Sequence, residues 1–346
     1  MSQTENRKDD HIKISLDENV QFNHNYWDDV KLIHNALPEI NMEDITINTE
    51  LFGKKLGAPI IIASMTGGYK KAKEINENLA SAAEKYQLGM GVGSQRAAIE
   101  NPSLAETYSA IKNYNIPLKF ANIGASQLVL WGPKKTLQNA KIIVEMIDAD
   151  VLFVCLNFLQ EAVQWEGEPH AKGCLKAITK LAENLDTPIV VKESGAGIGY
   201  NVAEKLYGAG IAGIDVGGAG GTSFAAIEHY RAKMKNDKLN ERSGKTFWEW
   251  GIPTPTCIME VGDATNWELP IIATGGIRNG LDIAKALSIG AKATGIAHTL
   301  LKPATQSKND TITEVETIIK ELKAAMFLLG IDNIQKMSDT GVDLWI

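Results

Sequence analysis

The stretch PIIATGGIRNGLDIAKALSIGAKATGIA, residues 270–297, decides the fold. It opens on a short apolar, β-branched run (270–274) and turns on Gly275 and Gly276. Helical spacing follows over 281–289, and a second short apolar run ends it (292–296). Strands that are apolar at nearly every position are buried on both faces, the condition of a parallel sheet whose crossovers are helices.

Working outward, the same unit recurs. Short apolar runs at 58–64, 88–92, 118–123, 151–156, 188–192 and 213–216 alternate with helical patterns at 72–86, 103–114, 137–148, 174–185 and 202–208. Eight strands in strict alternation with helices predict an α/β fold, a (β/α)8 TIM barrel; an open doubly wound sheet is more often smaller, with one fingerprint turn. The 346 residues amount to about two ordinary domains, but a barrel with additions fills them as one. The predicted division is a single domain, 1–346, with an N-terminal capping segment (1–57), the barrel (58–300) and a C-terminal helical extension (301–346). In that extension ITEVETIIKELKAAMFLLG (312–330) reads as a closing amphipathic helix. Within the long connection 217–269, the polar run KNDKLNERSGKTF (235–247) reads as a mobile lid.

Thirty-five basic residues face 42 acidic ones, a formal net charge of −7, so the field of the whole molecule favours neither nucleic acid nor anionic lipid. No apolar run reaches membrane-spanning length, and the N-terminus lacks a signal-peptide core, which predicts a cytoplasmic protein without a membrane partner. Cys155, Cys174 and Cys257 are odd in number and show no CxxC spacing, against a disulfide framework or zinc knuckle.

In a barrel the chemistry lies where strands end. Gly275 and Gly276 before a helix, with Gly295 after the next strand, form a predicted phosphate cradle. Gly217, Gly218, Gly220 and Gly221 imply that backbone passes very close to something, for which a flat cofactor or a phosphate is the candidate. Lys192 ends an apolar strand and needs an anion, whether from a ligand or from Asp215 or a glutamate. Asn157, Gln160 and Glu161 follow the fourth strand, either as substrate and divalent-cation ligands or as an ordinary helix start. Arg7, Lys8 and His11, taken alone, belong to a solvated tail.

Together RKDDH (7–11), ASMTGG (63–68), GSQR (93–96), ANIGASQL (121–128), LNFLQEAVQWEG (156–167), VVKESGAGI (190–198), GGAGGTSFAAIEHYR (217–231), WEWGIPT (248–254) and ATGGIRNG (273–280) closely resemble, in order, the type 2 isopentenyl-diphosphate isomerases. The resemblance implies FMN at the barrel mouth, contacted by Ser64, Met65, Thr66, Ser94, Asn122, Lys192 and Thr222. Its phosphate would lie near Gly275, Gly276 and Ala297, with Arg278 and His298 also binding the cofactor. It implies an isoprenoid diphosphate substrate held by Arg7, Lys8, Arg96, Asn157, Gln160 and Ser194, with Gln160 and Lys192 catalytic and Glu161 binding Mg²⁺. It further implies NADPH as the reductant of FMN, double-bond transposition without net redox change, and a homo-oligomer, tetramer or octamer.

Three positions depart from the family pattern: Cys155 where histidine is usual, Trp165 for proline and Gly217 for serine. Because of Cys155, a flavoprotein that binds these ligands as a sensor is one alternative. The other is an FMN-dependent 2-hydroxy-acid oxidoreductase, but no HGGRQ-like segment follows the sixth strand.

Overall fold

The structure, a computed structural model, describes residues 3–344. Eight parallel strands close on themselves: β1 (Ile60–Ile62), β2 (Gly89–Gly91), β3 (Leu118–Gly124), β4 (Val151–Cys155), β5 (Ile189–Lys192), β6 (Gly213–Asp215), β7 (Ile271–Thr274) and β8 (Ala293–Ile296). Closure is made where Gly295 of β8 pairs with Ile61 of β1. All eight coincide with the apolar runs of the sequence, and helices fill the crossovers.

The pleat explains where the chemistry sits. Ile61, Phe120, Phe153, Val190, Ile272 and Ala293 point inward and form a closed core, with Phe120 stacked on Phe153 at 4.4 Å. A hairpin of Thr49–Leu51 and Lys54–Leu56 seals the lower end with Leu51, Leu56 and Phe52. Side chains two residues further along each strand face the same way. Those residues are Ala63, Asn122, Cys155, Lys192, Thr274 and Gly295, and all line one cavity at the C-terminal end of the barrel.

The N-terminal segment is not a loose tail. It forms α1 (Gln3–Asp17), anchored by Ile14 against Ala226 and Ile227. Outside the barrel lie α2 (Ala72–Tyr86), α3 (Ala125–Ile147), α4 (Cys174–Asn184), α5 (Tyr200–Tyr207), α6 (Phe224–Met234), α7 (Lys238–Thr246), α8 (Thr254–Ala264), α9 (Gly280–Ser288), α10 (His298–Gln306) and α11 (Lys308–Leu329). The closing helix is α11. It buries Val315, Ile318, Leu322 and Met326 on one stripe and ends on Gly330 at φ +72°. The short strands Val30–Leu32 and Val342–Leu344 pair antiparallel and tie the two extensions together.

Three expectations are corrected. The predicted lid contains α7, N-capped by Asp237, which accepts from the Asn240 amide at 3.2 Å. Gly244 there serves close packing, because a Cβ would stand 2.7 Å from Ala225 O and from the His229 nitrogen on α6. The helix expected over 137–148 begins at Ala125 and breaks at Gly132 (φ +71°), ahead of Pro133. The helix expected over 103–114 is a series of short turns, Pro102–Leu104, Glu106–Ser109 and Ala110–Asn113, wrapped around buried Tyr108.

Candidate active site

The barrel mouth holds a cavity of about 480 Å³. Every residue assigned to the site from the sequence lines it except Thr66, which is buried beside it.

On one wall stand the glycine turns. The glycines after β6 pass close to other backbone: Gly218 donates to Thr274 O at 2.9 Å, and a Cβ on Gly221 would lie 2.5 Å from the Gly276 nitrogen. Gly275 (φ +122°) and Gly276 (φ +74°) take conformations that L side chains rarely adopt. The four-glycine turn thus owes its composition first to the interlock of two loops, and the interlocked backbone is what faces the cavity. Trp27 Nε1 and Asn25 Nδ2 donate to Gly275 O and Gly276 O, both at 2.8 Å, and brace the turn from outside.

On the floor, Lys192 is 6% exposed and donates to Glu193 O at 2.7 Å, with Cys155 Sγ at 3.9 Å. Burial works against its charge, but Cys155 once ionised, with Asp215 and Glu193, holds the ammonium above the ordinary lysine value. Burial raises the Cys155 thiol, against the pull of Lys192, so it stays protonated at neutral pH. Burial likewise lifts Glu193 to about 6, although its Oε2 accepts from the Ser194 and Ala196 amides at 2.5 Å. Cys155 ends its strand with its side chain at the cavity, so it is not a mere packing residue inside the sheet.

The third side is polar. Asn157 Nδ2 donates to Glu161 Oε1 at 3.0 Å and faces Gln160 Oε1 at 3.4 Å. Glu161 Oε2 accepts from Gln164 Nε2 at 2.9 Å and from the Glu168 amide at 2.8 Å. Arg96 pairs with Glu100 at 2.5 Å and with Glu168. Arg278 directs its donors to Asp28 (2.6 Å) and Asp282 (2.9 Å), which fixes the turn after β7.

α1 forms the roof. Lys8 Nζ donates to Ser94 O at 2.8 Å and to the Tyr108 hydroxyl at 3.0 Å. Ser15 O lies 3.0 Å from His298 Nε2, and Thr222 Oγ1 accepts from Gln21 Nε2 at 3.1 Å. The sequence-based assignment left out His11, Glu228 and Arg231. Glu228 and Arg231 are 1% and 2% exposed, an i, i+3 pair on α6, and His11 Nε2 donates to Glu228 at 2.8 Å. Two opposite charges one helical turn apart among alanines were the available signal.

Residues 12–111 and 156–344 match the FMN-dependent dehydrogenase family. The chain is 50% identical over 338 residues to the isopentenyl-diphosphate delta-isomerase of Thermoplasma volcanium, covering 97% of this chain and 95% of that one. It is 43% identical to the enzyme of the same name from Methanosarcina mazei, covering 98% and 92%. The chain belongs to the isopentenyl-diphosphate delta-isomerases. Within that family its fold is the FMN barrel of the type 2 enzymes. A solved mandelate oxidase bound to benzoyl-formic acid superposes with a TM-score of 0.65 at 17% identity, covering 93% of this chain and 88% of that one; this likeness concerns the fold alone.

The site fits a flavin mononucleotide. Ser64 Oγ and Asn122 Oδ1 are buried at the cavity without a hydrogen-bond partner, a state that buried polar atoms rarely keep. The paired-glycine turn, whose Cβ positions are closed off by the neighbouring loop, lines the same cavity with backbone. For a metal, no group of three or more protein ligands exists among the described residues.

Proposed function

We propose that this protein interconverts isopentenyl and dimethylallyl diphosphates, with FMN at the barrel mouth, Mg²⁺ on the diphosphate and NADPH as the reductant. The carrying observation is that Arg7, Lys8 and Arg96 line the same cavity as Lys192 and the glycine turns. That set of cations suits a cavity that takes an anionic ligand together with an electron-rich ring.

Reduced and bound, FMN would supply an acid–base group able to act on carbon, which ordinary side chains do poorly. The chain's own work is positioning and charge stabilisation. Gly275, Gly276, Ala297 and the start of α10 would hold the cofactor phosphate, and Arg278, spent on Asp28 and Asp282, would shape that turn. Lys192 would hold negative charge on the ring, and Ser64, Met65, Thr66, Ser94, Asn122, Thr222 and His298 would surround the cofactor. Arg7, Lys8, Arg96, Asn157 and Ser194 would bind the diphosphate, and Gln160 would orient the alkene end.

Glu161 is the candidate Mg²⁺ ligand. Three donors occupy its carboxylate, and about one acceptor site of four remains. That suits an ion held through one carboxylate with substrate oxygens and waters completing the shell. This reading treats residues 1–346 as one FMN-binding unit, cytoplasmic and homo-oligomeric. Among the described residues no helix is long and apolar enough to cross a membrane.

The test is an anaerobic assay with reduced FMN and Mg²⁺. The expected result is exchange of the two isomers without stoichiometric NADPH consumption. No exchange by a fully reduced, flavin-loaded protein refutes the assignment and leaves the sensor reading.

A further inference from the structure

Trp165, between the candidate metal ligand and α4, has two cations over its ring. The Arg231 guanidinium carbon lies 4.1 Å from the indole centroid and Lys235 Nζ lies 3.9 Å from it. Arg231 is itself buried, with carboxylates at its edge: Nη1 donates to Glu228 at 2.7 Å, Nη2 donates to Glu166 at 2.8 Å, and Nε stands 3.5 Å from Asp10. The other Glu228 oxygen accepts from His11 Nε2. His11 and Asp10 belong to α1, the helix that carries Arg7 and Lys8.

A guanidinium bonds through its edge and stacks through its face. An indole on the face therefore fixes the plane without competing for any donor. Three carboxylates compete here for one guanidinium, and rotation of its plane would surrender Glu228 or Glu166. Glu166 Oε2 already lacks a partner. The stack is what selects the arrangement in which Glu228 is held and remains aimed at His11.

We propose that Trp165 is a positioning residue: through Arg231 and Glu228 it fixes His11, and with it the seat of α1 that places Arg7 and Lys8 over the cavity. The effect on turnover rests on the isomerase reading, whereas the effect on α1 does not. The residues that build this chain of contacts come from α1, from α6 and from the loop that holds Trp165 and Glu166, so Trp165 acts on the roof of the site through Arg231.

The experiment compares Trp165→Leu with Trp165→Phe, both flavin-loaded. In Trp165→Leu the KM for isopentenyl diphosphate should rise about fivefold, the factor of one moderate cation–π contact, with kcat changed less than about twofold. Tryptic cleavage after Arg7 and Lys8 should accelerate by about the same factor, since cleavage follows the population of the open form. Trp165→Phe keeps an aromatic face and should behave as the natural protein in both assays, and FMN affinity should hold in both variants. A Leu variant whose α1 is cleaved no faster overturns the proposal. So does a Phe variant as impaired as Leu, or general acceleration of cleavage across the chain, because either marks a merely structural role. Cleavage needs no turnover, so failure of the isomerase reading would appear as absent exchange with the proteolytic contrast intact.

Discussion

Lys8 should take up a proton when a diphosphate binds. Its ammonium is enclosed under α1, where burial first and the charge of Arg7 second push its pKa down to about 7, against the pull of Glu100. At pH 8 a group of that pKa is about one-tenth protonated, so a diphosphate that restores the ordinary lysine value draws in about 0.9 proton per site. At pH 6 the group is already charged, and the uptake falls to about 0.1. The last proton of a phosphate leaves near pH 6, so at pH 8 the ligand contributes almost none of this.

Titration calorimetry with isopentenyl diphosphate, in buffers of different ionisation enthalpy, reads the number directly, and Lys8→Met is the control. Fewer than about 0.3 proton at pH 8, or the same uptake in Lys8→Met, refutes the reasoning. The linkage sign gives an independent check. A lysine whose folded pKa lies below its unfolded value disfavours the protonated fold, so the unfolded chain binds more protons between pH 7 and 10.5. Stability of the ligand-free protein should therefore rise across that window, and Lys8→Met should flatten the rise.

Two further outcomes are expected at the cavity. Glu161→Gln should raise the Mg²⁺ concentration needed for half-maximal isomerisation by about tenfold or more while FMN affinity changes little, as loss of one charged ligand implies; equal loss of flavin, measured by fluorescence, would show that Glu161 shapes the cofactor site instead. Cys155→His should lower the KM about fivefold, the worth of one neutral hydrogen bond, because an imidazole beside the Lys192 ammonium stays uncharged. A folded, flavin-loaded variant with an unchanged KM would mean that this position does not meet the substrate.

The barrel was legible because its strands obey one local rule, apolar on both faces, and the site because polar residues and glycines interrupt that rule at strand ends. Asn122 two residues after Phe120, and Lys192 two after Val190, are consequences of the pleat that the sequence displays openly. What was not legible depends on distance along the chain. α1 reads as a solvated tail because its hold on the barrel comes from partners remote in sequence, Glu228 for His11 and Ser94 for Lys8. Gly244 reads as a flexible point because the Ala225 and His229 backbone that demands it belongs to another helix.

Three of the cations at the mouth are matched by carboxylates, and a fourth is not. Lys192 is matched by Asp215 and Glu193, Arg96 by Glu100 and Glu168, Arg278 by Asp28 and Asp282, and Lys8 by two neutral oxygens. A ligand anion that reaches Arg96 therefore exchanges partners there and does not meet bare charge. Such an exchange favours a ligand that brings several charged oxygens at once, since a single carboxylate gains little over the carboxylate it displaces. The whole-molecule charge of −7 works in the same direction, because it withholds long-range attraction and leaves recognition to these contacts. Selectivity for a diphosphate over a 2-hydroxy acid then follows from how the cations are occupied beforehand. Lys8, paired with neutral oxygens alone, gains more from the new partner than the carboxylate-paired Arg96 does.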